Sequence, residues 1–180
     1  MQRLCVYCGS KTGRDPAFSL AAEALAAAML NHRIGLVYGG AQIGLMGVLA
    51  DAVIAGGGEV IGVIPESLLD EEVVHRGLTT LEVVPSMHVR KQRMIELADA
   101  MVALPGGLGT LEEFFEALTW AQLRFHQKPC GVLNVQGYFD GMLQCLDTAV
   151  AQGFLATEHR SLALIESEAE ALVQALIQRC

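Results

Sequence analysis

Met101-Val102-Ala103-Leu104-Pro105-Gly106-Gly107-Leu108-Gly109-Thr110-Leu111-Glu112-Glu113 reads as a buried strand, a glycine turn and the start of a helix. Met101–Leu104 is continuously apolar, as expected of a strand covered on both faces. Pro105 and the glycines stop it. Thr110 then opens a helix in which Leu111, Phe114, Leu118 and Ala121 share one face at about 100° per residue. A buried strand that passes to a helix through a short turn is the repeating unit of a parallel α/β sheet.

The same alternation extends in both directions. Further strands are predicted at Leu4–Tyr7, Ile34–Tyr38, Val60–Ile64, Leu81–Val84, Gly131–Val135 and Leu162–Ile165. Helices are predicted from Asp15-Pro16 to about Leu30, after Gly39–Gly47, from Ser86, near Phe139 and after Ser167. The fold class is therefore α/β, with a doubly wound, mostly parallel sheet. No linker or internal repeat divides residues 1–180, so one domain is expected. Pro65–Thr80 is the least regular stretch and reads as a loop over the site.

With 52% hydrophobic and 18% charged residues, the chain is far from a disordered composition. Its net charge of −8 argues against a partner that is a nucleic-acid backbone, which needs a basic stripe. A small anion held by a local cluster of donors is still compatible. No apolar run is long enough to span a membrane, and the N-terminus lacks the pattern of a signal peptide. Five scattered cysteines do not form a disulfide framework, which suits a cytoplasmic location.

Two glycine clusters follow predicted strands, at Gly39–Gly47 and at Gly106–Gly109. In open α/β sheets ligands bind beyond the carboxyl ends of the strands. Glycines there let main-chain N–H groups approach an anion, and a helix N-terminus adds its positive dipole end. Gly106, Gly107, Leu108, Gly109 and Thr110 thus read as a phosphate cradle, with Thr110 capping the helix or donating its hydroxyl. The plain alternative is a tight turn that packs helix on sheet. Neither cluster is GxGxxG, and no GK[ST] follows, which argues against a nicotinamide cofactor and a Walker ATPase.

On the helix after Ser86, Arg90 and Lys91 fall in the same arc as Met87, Met94, Leu97 and Ala98. A buried cation without a partner is expensive, so these two either snorkel outward or meet an anion; Arg93 points elsewhere. Glu113, Glu116 and Trp120 lie opposite the core face of the helix from Thr110. Glu112 is explained by the helix dipole alone, but a carboxylate at Glu113 beside a phosphate cradle must serve another part of the ligand. A ribose 5-phosphate unit matches that arrangement. Its anomeric carbon becomes cationic when an N-glycosidic bond breaks, and a carboxylate can stabilise that charge or activate water.

Cys8-Gly9-Ser10, Gly39-Gly40 with Gly44-Leu45-Met46-Gly47, Ser86-Met87-His88-Val89-Arg90-Lys91 and Pro105–Glu113 resemble, in this order, the Lonely Guy (LOG) family. These are cytokinin riboside 5′-monophosphate phosphoribohydrolases, once labelled "possible lysine decarboxylase". The resemblance implies a Rossmann-like three-layer sandwich, a homodimer, and hydrolysis of N6-substituted adenosine 5′-monophosphates to free base and ribose 5-phosphate. AMP is a further substrate of many bacterial members, and no metal or organic cofactor is needed. It places catalysis on Arg90 and Glu113. It places substrate contacts on Glu72, Met87, Lys91, Gly106, Gly107, Leu108, Gly109, Thr110, Leu111, Glu112 and Thr119, and on Ser10, Gly39, Gly40, Gly44 and Met46 in the shared motifs. Ala41 stands where many members carry a third glycine, which is tolerable unless φ is positive there.

A pyridoxal-phosphate decarboxylase would need a Schiff-base lysine, and Lys11, Lys91 and Lys128 have no setting that suits one. Cys5 and Cys8 have redox-motif spacing but would point to opposite faces of a strand. The rival from another class is a non-catalytic nucleotide or cofactor carrier on the same fold. It would keep the cradle without needing both Arg90 and Glu113.

Overall fold

The computed structural model describes residues 1–69 and 74–180. Seven strands form one sheet: β1 (Arg3–Tyr7), β2 (Gly35–Tyr38), β3 (Val60–Pro65), β4 (Thr80–Val84), β5 (Ala100–Ala103), β6 (Cys130–Leu133) and β7 (Ala163–Glu166). Every neighbouring pair is parallel, and the order is β4-β3-β2-β1-β5-β6-β7. All seven predicted strands are present, shifted at most by a residue or two at their ends. Apart from β3 and β4, whose described connection includes only a short 3₁₀ turn, successive strands are joined by crossovers that contain an α-helix, as parallel pairing requires.

The helices are α1 (Ala17–Asn31), α2 (Gly44–Ala55), α3 (Met87–Leu97), α4 (Leu108–Gln122), α5 (Asp140–Ala151), α6 (Thr157–Arg160) and α7 (Ala169–Arg179). Leu25 of α1, Leu49 of α2 and Leu172 of α7 share one core with Leu4, Val6 and Leu36. Met94 of α3, Phe114 of α4 and Leu143 of α5 share the other with Cys5, Tyr7 and Val37. The result is a three-layer sandwich whose inner strands bury both faces, which is why they read as nearly continuous apolar runs.

Some starts differ from expectation. Asp15 Oδ1 accepts the Ala17 N–H at 2.9 Å and begins α1 as predicted. Helix α4 begins two residues before Thr110, because Gly107 adopts the extended capping conformation. Thr110 is therefore not a cap; it lies buried in the first turn, under Gly106. The fully buried face of α4 is Phe114 and Ala117, with Leu111 and Leu118 packed at its margin. The short α6 carries no apolar period and was not foreseen. Within Pro65–Thr80, Glu66–Leu68 form a 3₁₀ turn, and Val74 makes an antiparallel bridge to Ala41.

The chain runs outward from β1 to β4 and then returns to β5 on the other side of β1. The loops after β1 and β5 thus leave in opposite directions and create a crevice at the strand ends. They are stitched together there: the Gly9 N–H donates to the Pro105 carbonyl at 3.1 Å, and the Leu45 N–H donates to the Gly9 carbonyl at 3.0 Å. Gly44 has φ of +61°, and a Cβ on it would stand 2.2 Å from the Ser10 carbonyl carbon, so glycine is required.

Cys5 and Cys8 fall in opposite cores, as their spacing on a strand predicts. All five cysteines are free. Burial pushes the Cys5 and Cys8 thiols far up and that of Cys130 up to about 12, whereas Cys145 and Cys180 are exposed.

Candidate active site at the carboxyl ends of the strands

Helix α3 is opened by Ser86, whose hydroxyl accepts the Val89 N–H at 3.3 Å. This sets Arg90 beneath the ends of β2 and β3. Its Nε donates to the Val63 carbonyl at 3.0 Å and its Nη2 to the Gly39 carbonyl at 3.3 Å. Its Nη1 contacts Met87 Sδ at 3.7 Å and lies 3.7 Å from Glu113 Oε1. The Arg90 and Glu113 side chains are each only 11% exposed. At 3.7 Å the two groups attract without a proper hydrogen bond, so the carboxylate keeps lone pairs for a ligand. Burial raises the Glu113 pKa above the usual carboxylate range; Arg90 and Lys91 pull it back, while Glu112 and Glu116 push it further up.

Lys91 is one of few buried charged residues described. Its Nζ donates to Glu112 and, at 3.0 Å, to Glu116. Burial alone would lower its pKa, but the two carboxylates outweigh that and raise it. Both cations in the apolar arc of α3 therefore meet carboxylates of α4 rather than snorkelling. Glu113 and Glu116 face α3, not open solvent. Arg93 is the surface charge expected, paired with Glu82 of β4 at 2.6 Å.

At the start of α4, the first intrahelical bond runs from the Leu111 N–H to the Gly107 carbonyl at 3.1 Å. The N–H groups of Leu108, Gly109 and Thr110 precede that bond and lie at the positive end of the helix. A Cβ built on Gly107 or Gly109 would meet nothing within 4 Å, so the turn is open on that side. Next to it is a cavity of about 360 Å³. Its walls include Ser10, Phe18, Leu45, Gly106 and Tyr138. The Tyr138 hydroxyl donates to the Gly106 carbonyl and braces the turn.

The predicted site residues thus assemble in two adjoining groups. Arg90, Glu113, Met87, Gly39 and Met46 surround the ion pair, with Met46 Sδ 3.4 Å from where a Gly39 Cβ would lie. Ser10, Gly106 and Gly107 line the cavity, and Gly44 packs against Ser10 behind it. Gly40, with φ of +78°, turns the chain after β2; Ala41 is not in the positive-φ region, so its methyl group is accommodated. Thr119 lies six residues beyond Glu113, about 9 Å along the helix axis. It lines a separate small cavity with Leu118, His159 and Arg160. Glu72 lies outside the described residues. Sequence reasoning missed Tyr138, the Val63 carbonyl and the partnership of Glu116 with Lys91. A main-chain carbonyl has no sequence signal, and Tyr138 sits in a turn without periodicity. The spacing of Glu112 and Glu116 at i, i+4 could have suggested a shared cation.

The family model described as "possible lysine decarboxylase" matches residues 46–176. The cytokinin riboside 5′-monophosphate phosphoribohydrolase LOG of Oryza sativa subsp. japonica is 48% identical over 172 residues, covering 96% of this chain and 71% of that protein. The phosphoribohydrolase of the same description from Rhodococcoides fascians is 45% identical over 172 residues, covering 95% of this chain and 87% of that one. The chain belongs to the Lonely Guy family. Solved structures that resemble this family member include the molybdenum cofactor binding protein of Rippkaea orientalis, with a TM-score of 0.73 and 21% identity over 98% of this chain and 96% of that one. The molybdenum cofactor carrier protein of Chlamydomonas reinhardtii also has a TM-score of 0.73 and 21% identity, over 99% of this chain and 97% of that one. At that identity the likeness concerns the fold alone.

Proposed function

We propose that this Lonely Guy chain hydrolyses the N-glycosidic bond of N6-substituted adenosine 5′-monophosphates, and of AMP, to free base and ribose 5-phosphate. The observation that carries the reading is the buried, loosely paired Arg90 and Glu113 beside the open amides of α4. The substrate phosphate binds the N–H groups of Leu108, Gly109 and Thr110 at the helix N-terminus. The anomeric carbon then lies by Glu113, whose negative charge stabilises the oxocarbenium-like transition state and accepts a proton from the attacking water. Arg90, fixed by two main-chain carbonyls, donates to the departing base or to the ribose hydroxyls. The C1′–N bond breaks as a C1′–OH bond forms, and the proton that Glu113 takes from water is returned to the departing base, so the step balances without a redox partner.

Two other readings are less well supported. Schiff-base chemistry needs a free, neutral amine, but Lys91 is held between two carboxylates that favour its charged form. A cofactor carrier on this fold has no use for a buried carboxylate whose charge opposes a bound anion. We further infer a homodimer, supported by the exposed Leu123 and Phe125 beside Trp120, and a cytoplasmic location, supported by free buried thiols.

The test is chromatographic separation of free base after incubation with isopentenyladenosine 5′-monophosphate, AMP and the matching ribosides. Base release from the ribotides with little from the ribosides is expected. Binding without release favours a carrier, and equal rates on riboside and ribotide overturn the phosphate cradle.

A further inference from the structure

His75 is buried and takes no part in the site described, yet its main-chain N–H and both ring nitrogens are committed. Its main-chain N–H donates to the Gly40 carbonyl at 2.9 Å. Its Nδ1 receives the Gly77 N–H at 3.1 Å. Its Nε2 lies 3.0 Å from Asp51 Oδ1, on α2. Because a main-chain N–H points at Nδ1, that nitrogen presents its lone pair and the ring proton resides on Nε2, donated to Asp51. The ring is thereby fixed in one tautomer and one orientation. With the bridge between Val74 and Ala41, it clamps residues 74–77 across the turn after β2.

That turn leads directly to Arg90. The Gly40 carbonyl is held by the clamp, and the Gly39 carbonyl, one peptide earlier, accepts Arg90 Nη2 at 3.3 Å. Two consecutive glycines have little conformational preference of their own, so an external restraint must set the direction of these carbonyls. Asp51 has a side chain 75% exposed, and the His75 side chain is 10% exposed, so their hydrogen bond adds little stability by itself. Its geometric effect is larger, since it anchors a strap to a rigid helix.

We propose that His75, anchored by Asp51, is a positioning residue for Arg90, acting through the Gly39–Gly40 turn. This rests on the catalytic reading of Arg90 for its kinetic consequence, but the structural coupling can be measured without activity. The first measurement is hydrogen exchange of peptides covering 39–41 and 86–91 in wild type, His75→Ala and Asp51→Ala. Faster exchange at 39–41 in both variants is expected, and unchanged exchange there overturns the proposal. The second is kinetics with isopentenyladenosine 5′-monophosphate. His75→Ala lowers kcat by about tenfold or more with KM within about twofold, because a misplaced Arg90 loses contacts made in the transition state.

His75→Gln, which can still donate to Asp51, and His75→Asn, which can still accept from Gly77, each recover part of the loss. The double variant His75→Ala/Arg90→Ala is no slower than Arg90→Ala alone. Additive losses, or a rise in KM alone, would assign His75 to general stability and refute the coupling. Asp51 is largely exposed, so Asp51→Ala keeps the test open if His75→Ala does not fold. A wild-type chain that releases no base overturns the proposed hydrolysis, while the exchange result decides the role of His75 separately.

Discussion

Gly39→Ala separates catalysis from folding. A Cβ at Gly39 would lie 2.0 Å from Arg90 Nη2 and 3.2 Å from its Cζ. The obstacle is the far end of a flexible side chain, and Gly39 is not in the positive-φ region, so the backbone accepts alanine. To reach ordinary contact near 3.4 Å, the guanidinium must retreat by about 1.4 Å. That breaks its bond to the Gly39 carbonyl and alters its approach to Glu113. A displacement of about 1 Å in a catalytic group costs on the order of 100-fold in rate. The stability cost is smaller. Losing a hydrogen bond from a charged donor costs about 1.5–3 kcal/mol, and alanine returns about 0.4–1 kcal/mol through the unfolded state. At about 2–4 °C per kcal/mol for a chain of this size, Tm falls by only a few degrees. The assay is base release from isopentenyladenosine 5′-monophosphate alongside thermal melting. A folded variant with normal kcat would refute the claim that Arg90 must stay in place, and collapse of the fold would refute the claim that its side chain yields.

Gly44→Ala should do the reverse: its positive φ costs roughly 1–2 kcal/mol and its obstacle is the Ser10 backbone, so Tm drops by several degrees or more in calorimetry. Glu113→Gln should abolish base release while raising Tm at neutral pH. Burial raises the Glu113 pKa, so the stability linked to its protonated form is present at acid pH and lost as pH rises through that pKa. Melting of wild type and variant between pH 4 and pH 8, with the gap widening toward pH 8, checks this. Lys91→Met leaves the half-buried Glu116 without its cation and should cost about 2 kcal/mol, seen as a lower Tm. It also removes a charge that lowers the Glu113 pKa, so the acid limb of the rate profile moves to higher pH.

The inner strands were legible because strands buried on both faces are almost wholly apolar, as in Met101–Leu104, whereas the edge strands β4 and β7 carry Glu82 and Glu166 and were read from their β-branched and leucine residues. The order of the strands across the sheet was not legible, since β1, β2 and β5 have interchangeable compositions. Arg90 and Lys91 stood out as charges in an apolar arc. Their partners were harder to read, because Glu112 in a first helical turn is adequately explained by the dipole. Thr110 misled: its residue type suits a cap, but the glycine ahead of it adopts the capping geometry and leaves the hydroxyl buried. The Val63 and Gly39 carbonyls that hold Arg90 are main-chain atoms, available to any residue, so only the register of β3 and the path of the turn reveal them.

The distribution of sulfur has a practical consequence. Alkylating reagents act on accessible thiolates, so they meet Cys145 on α5 and Cys180 after α7, while Cys5, Cys8 and Cys130 are withheld by burial. Fluorescent or spin labels can therefore be attached at two outer addresses without mutating the strands that support the crevice. Energy transfer between labelled copies would then follow their association in real time.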